Sequence, residues 1–384
     1  LLFKDAIGTL YGMMNLSAKR LFFSLLLFLL GGTACLPTAV ISEPQAIKIG
    51  AIFSLTGWAA TGGKPELQGA QMAIEEINAK GGVNGRKLEL IVEDNRSDFP
   101  ATIGAFKKLR GLDNVSAIIG PNWSEFGEVV APLAQSQKIP TVLITGLASK
   151  RTYATPYTFG LLPEFSEHVK VLSQHIAARN FKRLVVLYSP TIYFEGITNA
   201  LIESLKSAGV GLLPPILVSG AAPNMNSILA RVSADQADGI VAFLQEGGGM
   251  SSFLKQLKTL KLRVPIFSHD IKYDHAVTED PQLAAGVIFI HYILQAEAKF
   301  IERYRSKFKE EPSISSPRAY DSIYALKASL ENCPSSVLAE CILKVDHQGT
   351  AGRIRFNERG GLIDMPNFTE LWTVEGANFK KLSQ

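Results

Sequence analysis

The sequence has 384 residues, 47% of them apolar and 19% charged, with a formal net charge of +4. This is ordinary globular composition, which excludes a disordered or fibrous chain, and the length suits two lobes of ordinary domain size. Residues 1–35 carry +2 of the charge (Lys4, Lys19 and Arg20 against Asp5), which leaves +2 over the rest; no basic block interleaved with aromatics occurs, so nucleic-acid binding has no support.

The first informative stretch is MMNLSAKRLFFSLLLFLLGGTAC, in which Met13 or Met14 fits a translation start. Lys19 and Arg20 form a basic n-region, Leu21 to Leu30 an apolar core of signal-peptide length, and Gly31, Gly32, Thr33 and Ala34 the small residues a signal peptidase needs. Residues 1–35 are therefore expected to be an N-terminal extension and signal peptide. Cys35 directly after Ala34 resembles the lipid acceptor of bacterial lipoproteins, although Gly32 stands where that motif usually has Leu. Ordinary cleavage with Gly32 and Ala34 at the small positions is the alternative. A retained anchor is a third, because Leu21 to Ser42 is uncharged and about the length of a membrane span. Export implies an oxidising compartment. With Cys35 lipidated, Cys333 and Cys341 remain and are expected to form a disulfide closing a short loop; two buried free thiols are the alternative.

From Ile47 short apolar runs alternate with amphipathic stretches. IKIGAIFSL reads as a strand, and ELQGAQMAIEEINAKGG as a helix with Leu67, Ala70, Ile74 and Ile77 on one face, ended by Gly81-Gly82. KLELIVED, a helix from Ala101 to Arg110, VSAIIG, a helix from Ser124 to Gln137 and TVLIT follow. The order then recurs: RLVVLY, a helix from Phe194 to Ala208, GLLPPILV, a helix near Asn226, DGIVAFL, a helix from Met250 to Leu260, and PIFS. GVIFIHYIL, an amphipathic helix from Glu297 to Phe308, a helix from Arg318 to Leu330, RIRF, a turn at Arg359 to Gly361 and TELWTV complete the chain. The βαβα order with near-continuous apolar strands predicts two doubly wound, mostly parallel α/β lobes.

In open parallel sheets ligands sit beyond the carboxyl ends of the strands, so the residues there are the candidates. They are Trp123 and Ser124 after IIGPN, Leu147 and Ser149 after TVLIT, Tyr193 after VVLYS, Gln245 and Glu246 after VAFL, and His269 and Asp270 after PIFS. Ser124 and Ser149 offer hydroxyls beside free amides, and Ser124 opens a helix, a combination that suits a carboxylate. Asp270 is a candidate acceptor for an ammonium. The plainer alternatives are a helix N-cap for Ser124, a solvated loop carboxylate for Asp270, and surface packing for Tyr193 and Trp123. Gly247-Gly248-Gly249 lacks the Lys-Ser/Thr ending of a phosphate loop, the histidines lack metal-ligand spacing, and no nucleophile elbow is present. Neither cofactor, metal nor catalytic machinery is expected.

IGAIFSLTGWAATGG followed by GAQMAIEEINAKGGVNGRKLELIVEDNRSD, together with IIGPNWSE, VAPLAQSQKIPTVLITGLAS, RAYDSIYAL and GTAGRIRFNERGG, resembles the periplasmic substrate-binding proteins of branched-chain amino-acid (leucine/isoleucine/valine-type) ABC transporters. The resemblance covers Ile47 to Lys381, most specifically at its start. It implies the type I periplasmic binding protein fold: two Rossmann-like lobes joined by three hinge crossings, lobe 1 at 45–163 plus 293–352 and lobe 2 at 164–292 plus 353–384. It further implies a monomer in the periplasm or on the outer face of the cell membrane that binds an amino acid, or a related carboxylate or amide, and delivers it to an ABC permease and ATPase. A sensor of the same fold is the alternative. In this pattern Ser124, Leu147 and Ser149 match the carboxylate site, Asp270 the ammonium acceptor, Tyr193 the cleft tyrosine of lobe 2, and Trp58 a position flanking the ligand side chain. Trp123 and Gln245 depart from the usual residues beside it.

Overall fold

The computed structural model describes Ser17 and residues 44–383, apart from 147–155, 220–224, 246–248 and 364–366. The leader and Cys35 lie outside the described residues. From Ile47 the chain forms β1 (Ile47–Phe53), α1 (Ala60–Ala79), β2 (Leu88–Asp94), α2 (Phe99–Gly111), β3 (Ala117–Asn122), α3 (Ser124–Gln137), β4 (Thr141–Ile144) and β5 (Thr158–Gly160). These strands make one wholly parallel sheet in the order β2-β1-β3-β4-β5. Then come α4 (Phe165–Ala177), β6 (Leu184–Tyr188), α5 (Ile192–Ser207), β7 (Ile216–Leu217), α6 (Met225–Ala234), β8 (Gly239–Phe243), α7 (Gly249–Thr259), β9 (Ile266–Ser268), α8 (His275–Glu279) and β10 (Ile288–Tyr292). After α9 (Ala298–Phe308), α10 (Ser316–Asn332), α11 (Leu338–Leu343) and the hairpin β11 (His347–Gly349) and β12 (Gly352–Ile354), the chain ends on β13 (Thr369–Glu375) and β14 (Asn378–Lys381). The second sheet runs β14-β13-β10-β9-β8-β6-β7, parallel except for β13 and β14.

The central strands, such as β1, β3, β6 and β8, are buried along nearly their whole length because both sheet faces are covered. In β1, Ile49, Ala51 and Phe53 pack with α1 and α10 residues such as Ala73, Ile77, Ile323 and Leu326. Ile52 faces the other way, onto Phe106 and Leu109 of α2 and Val130 of α3. The second sheet repeats this two-residue alternation: Val185, Leu187 and Ile240 face α6 and α7, whereas Val186, Val241 and Phe243 face α4 and α5.

The chain passes between the two sheets three times: after β5, after β10 and before β13. The last passage lies further along than the expected boundary at residue 353. Ile354, Phe356 and Leu362 belong to the first lobe's core, and the Gly160 amide donates to the Gly360 carbonyl at 2.9 Å. Residues 353–362 therefore belong to lobe 1. Two elements also differ from the sequence pattern. Helix α1 starts at Ala60 with Gly62, Gly63 and Pro65 inside it; a Cβ on Gly63 would lie 2.0 Å from the Ser54 carbonyl oxygen, so only glycine lets the helix approach β1 there. Within GLLPPILV only Ile216–Leu217 pairs as a strand, since Pro214 and Pro215 have no amide to give. Cys333 and Cys341 are joined by a disulfide, with Cα atoms 6.6 Å apart.

Candidate solute-binding cleft

The register of the first sheet brings together its polar strand ends. Asn122 pairs with Ile144 across β3 and β4, so the residues just beyond each strand become neighbours. Ser124 Oγ lies 3.1 Å from Thr145 Oγ1, and both residues are buried. Ser124 is the first helical residue of α3, not its cap. Trp123 holds the cap position at φ 63°, with no side-chain capping bond, and its carbonyl accepts from the Phe126 and Gly127 amides. The Ser124 hydroxyl is thus not used to cap the helix. Beside it lies the amino end of α3, where free N–H groups favour an anion. Leu147 and Ser149, expected to complete this group, lie outside the described residues, as does Glu246.

Trp58 belongs to the same rim. Its ring meets Trp123 edge-on at 5.0 Å and stacks on Phe126 at 5.9 Å, while its Nε1 donates to the Ser97 carbonyl. The loop carrying it is pinned by Asp94, which accepts from the Leu55 and Thr56 amides and the Thr56 hydroxyl. Burial opposes the Asp94 charge, but these bonds and the Arg96 amide outweigh it and hold the carboxyl below its usual range.

On the second lobe, Thr191 caps α5 through its side chain, and Tyr193 follows in the first turn. The Tyr193 hydroxyl bonds to that of Tyr292, and Tyr292 Oη lies 3.4 Å from His168 Nδ1. His168 Nε2 is 3.2 Å from the Pro163 carbonyl, which can only accept, so Nε2 carries the proton and Nδ1 receives the Tyr292 hydroxyl. Pro163 lies on the first passage between the sheets and Tyr292 opens the second. Phe368, on the third, packs on both His168 and Tyr292. One neutral histidine thus gathers all three hinge passages.

Asp270 does not fit the ammonium role expected of it. The residue is wholly buried. Its Oδ1 accepts from the Lys272 amide at 3.1 Å, and its Oδ2 accepts from His291 Nδ1 at 2.7 Å and the Tyr292 amide at 3.3 Å. These three donors engage both oxygens in tying the end of β9 to β10. Gln245 is exposed, with its amide held by Ser189 Oγ at 2.9 Å. His269 is buried against Phe194 and Phe243, and its Nε2 has no partner.

Burial lowers the pKa of both His168 and His269 to about 4, against 6.5 when free. A base whose folded pKa is depressed stabilises the fold above its free pKa and loses that contribution as pH falls. Denaturant unfolding at pH 7.5 and 4.5 should therefore differ by about 2–3 kcal/mol for each histidine. His269→Phe should remove one share of the difference; an unchanged slope would show that His269 is not held neutral.

The sequence pattern did not mark Thr145, which read as part of the strand TVLIT, nor Glu125, which lies inside the helix expected from Ser124 to Gln137. Across the cleft, Glu125 Oε1 accepts the Tyr193 amide at 3.3 Å, while Oε2 is buried without a partner. Among the described residues, no group of three or more His, Cys, Asp or Glu side chains could hold a metal ion.

A family model described as periplasmic binding protein matches residues 46–344. The chain belongs to the periplasmic binding protein family. It is accordingly an extracytoplasmic solute-binding protein and not an enzyme. The Leu/Ile/Val-binding protein homolog 7 of Brucella suis biovar 1 (strain 1330) is 25% identical over 295 residues, covering 69% of this chain and 72% of that protein. The Leu/Ile/Val-binding protein BraC3 of Rhizobium johnstonii is 23% identical over 350 residues, covering 86% and 93%. Among solved structures, the leucine-binding protein LivK of Thermotoga maritima MSB8 matches with a TM-score of 0.73 and 22% identity, covering 88% of this chain and 98% of that one. This likeness establishes the fold as that of type I periplasmic binding proteins.

Proposed function

We propose that this binding protein captures an amino acid, or a related small carboxylate or amide, between its lobes and delivers it to an ABC permease and ATPase. The observation that carries the proposal is the pair of buried hydroxyls, Ser124 Oγ and Thr145 Oγ1, beside the amino end of α3. Hydroxyl donors and unpaired helix amides together suit a carboxylate. Trp58, Trp123 and Phe126 supply apolar surface next to that pair. The names of the Brucella and Rhizobium relatives, both Leu/Ile/Val-binding, support an amino acid within that class.

Lobe closure brings Tyr193 over the solute and expels water, which strengthens charge-assisted bonds. In this reading Leu147 and Ser149 complete the carboxylate site, Gln245 lies at the rim, the exported chain acts as a monomer, and Cys35 carries a lipid; the intact mass of the membrane-extracted protein checks the lipid. A thermal-shift screen of L-amino acids, their deaminated acids and small amides tests the function. At least one should raise Tm by several degrees at a hundredfold excess over its Kd, where linkage supplies about 2.7 kcal/mol. A flat response to all three classes would overturn it.

A further inference from the structure

We propose that Glu125 is the carboxylate that receives the solute's ammonium, with one oxygen fixed on the second lobe and the other reserved for the solute. Glu125 directly follows Ser124 in the first turn of α3, so both side chains leave the helix at its amino end. Its Oε1 accepts the Tyr193 amide at the amino end of α5, which joins the lobes at this point. Among the described residues its Oε2 is buried with no hydrogen-bond partner. A buried carboxylate oxygen left unpaired is costly, and an ammonium would answer it both as donor and as charge. Burial already pushes the Glu125 carboxyl up, and the nearby amides of Glu125 and Ile192 and the Thr191 hydroxyl, none of them in bonding geometry with Oε2, offset this only in part, so a nearby cation would be favoured. The other acidic candidate, Asp270, has both oxygens engaged by protein donors. On this inference the solute's carboxylate meets Ser124 and Thr145, and its ammonium meets Glu125, one residue along α3. The same carboxylate then reports on both solute and closure, because Tyr193 reaches Oε1 only when the lobes are together.

The inference rests on the proposed capture of an amino acid, and matched probes separate the two. Calorimetry would compare L-leucine with 4-methylpentanoate and L-phenylalanine with 3-phenylpropanoate, on the wild type, Glu125→Gln and Glu125→Ala, each checked for a native melt. Gln keeps an oxygen for the Tyr193 amide but turns donors toward the ammonium. Both variants should therefore bind the preferred amino acid about 30-fold more weakly, the scale of a charge-assisted hydrogen bond, and its deaminated partner within about 3-fold of wild type. Equal losses for both members of a pair, or an unaffected Glu125→Gln, would reduce Glu125 to a lobe contact and overturn the inference. A wild type that takes only the deaminated acids would overturn it while leaving carboxylate capture standing. A wild type that takes neither class would overturn it as well, and of the proposed function would leave only amide capture standing.

Discussion

Asp270→Ala is expected to destabilise the protein by about 3–5 kcal/mol, the scale of breaking a buried, hydrogen-bonded charge from one side. The carboxylate lies where β9 ends and ties that end to β10. Removing it strands the Lys272 and Tyr292 amides and His291 Nδ1 at once, next to a wholly buried cavity. The damage should spread, because β10 is the strand that joins β9 to the antiparallel pair β13 and β14. By calorimetry Tm should fall by about 10 °C. Asp270→Asn should fall less, since its carbonyl oxygen still accepts. A melting temperature within 2 °C of wild type (about 1 kcal/mol or less), combined with weakened solute binding, would contradict this and return Asp270 to the solute.

Ser124→Ala should do the opposite: leave folding intact and weaken solute binding about 10- to 100-fold, the range of a hydrogen bond to a charged group. Folding is spared because Trp123, not Ser124, occupies the cap of α3, and among the described residues the lost hydroxyl bonds only to Thr145. Thr145→Val, isosteric and buried, should weaken binding in the same direction by removing the second hydroxyl. Unchanged affinity in Ser124→Ala would mean that the carboxylate is held elsewhere.

The two lobes were legible in the sequence because strands covered on both faces are written as continuous apolar runs, as in IKIGAIF and GIVAF. The strand-end rule pointed to Trp123, Ser124 and Tyr193, and the Tyr193 amide does lie against Glu125, the residue after Ser124. It failed where a side chain's partner is distant in sequence. Asp270 looks the same after a strand whether it faces a solute or ties two strands together; only the placement of β10 beside β9 brings His291 to it. Glu125 suits the amino end of its own helix, and its true partner, the Tyr193 amide, is 68 residues away. Thr145 was absorbed into the pattern of its strand. The lobe boundary slipped because residues 353–362 carry apolar side chains that either core could accept, and the Gly160–Gly360 bond decides between them.

Binding between the lobes is the central claim, and a crystal structure of the mature protein with its stabilising amino acid tests it most directly. Density for the solute is predicted between the first turns of α3 and α5, with its carboxylate against Ser124 Oγ and Thr145 Oγ1 and its ammonium against Glu125. Density on an outer face, or a solute in the cleft that touches neither Ser124 nor Thr145, would contradict the account.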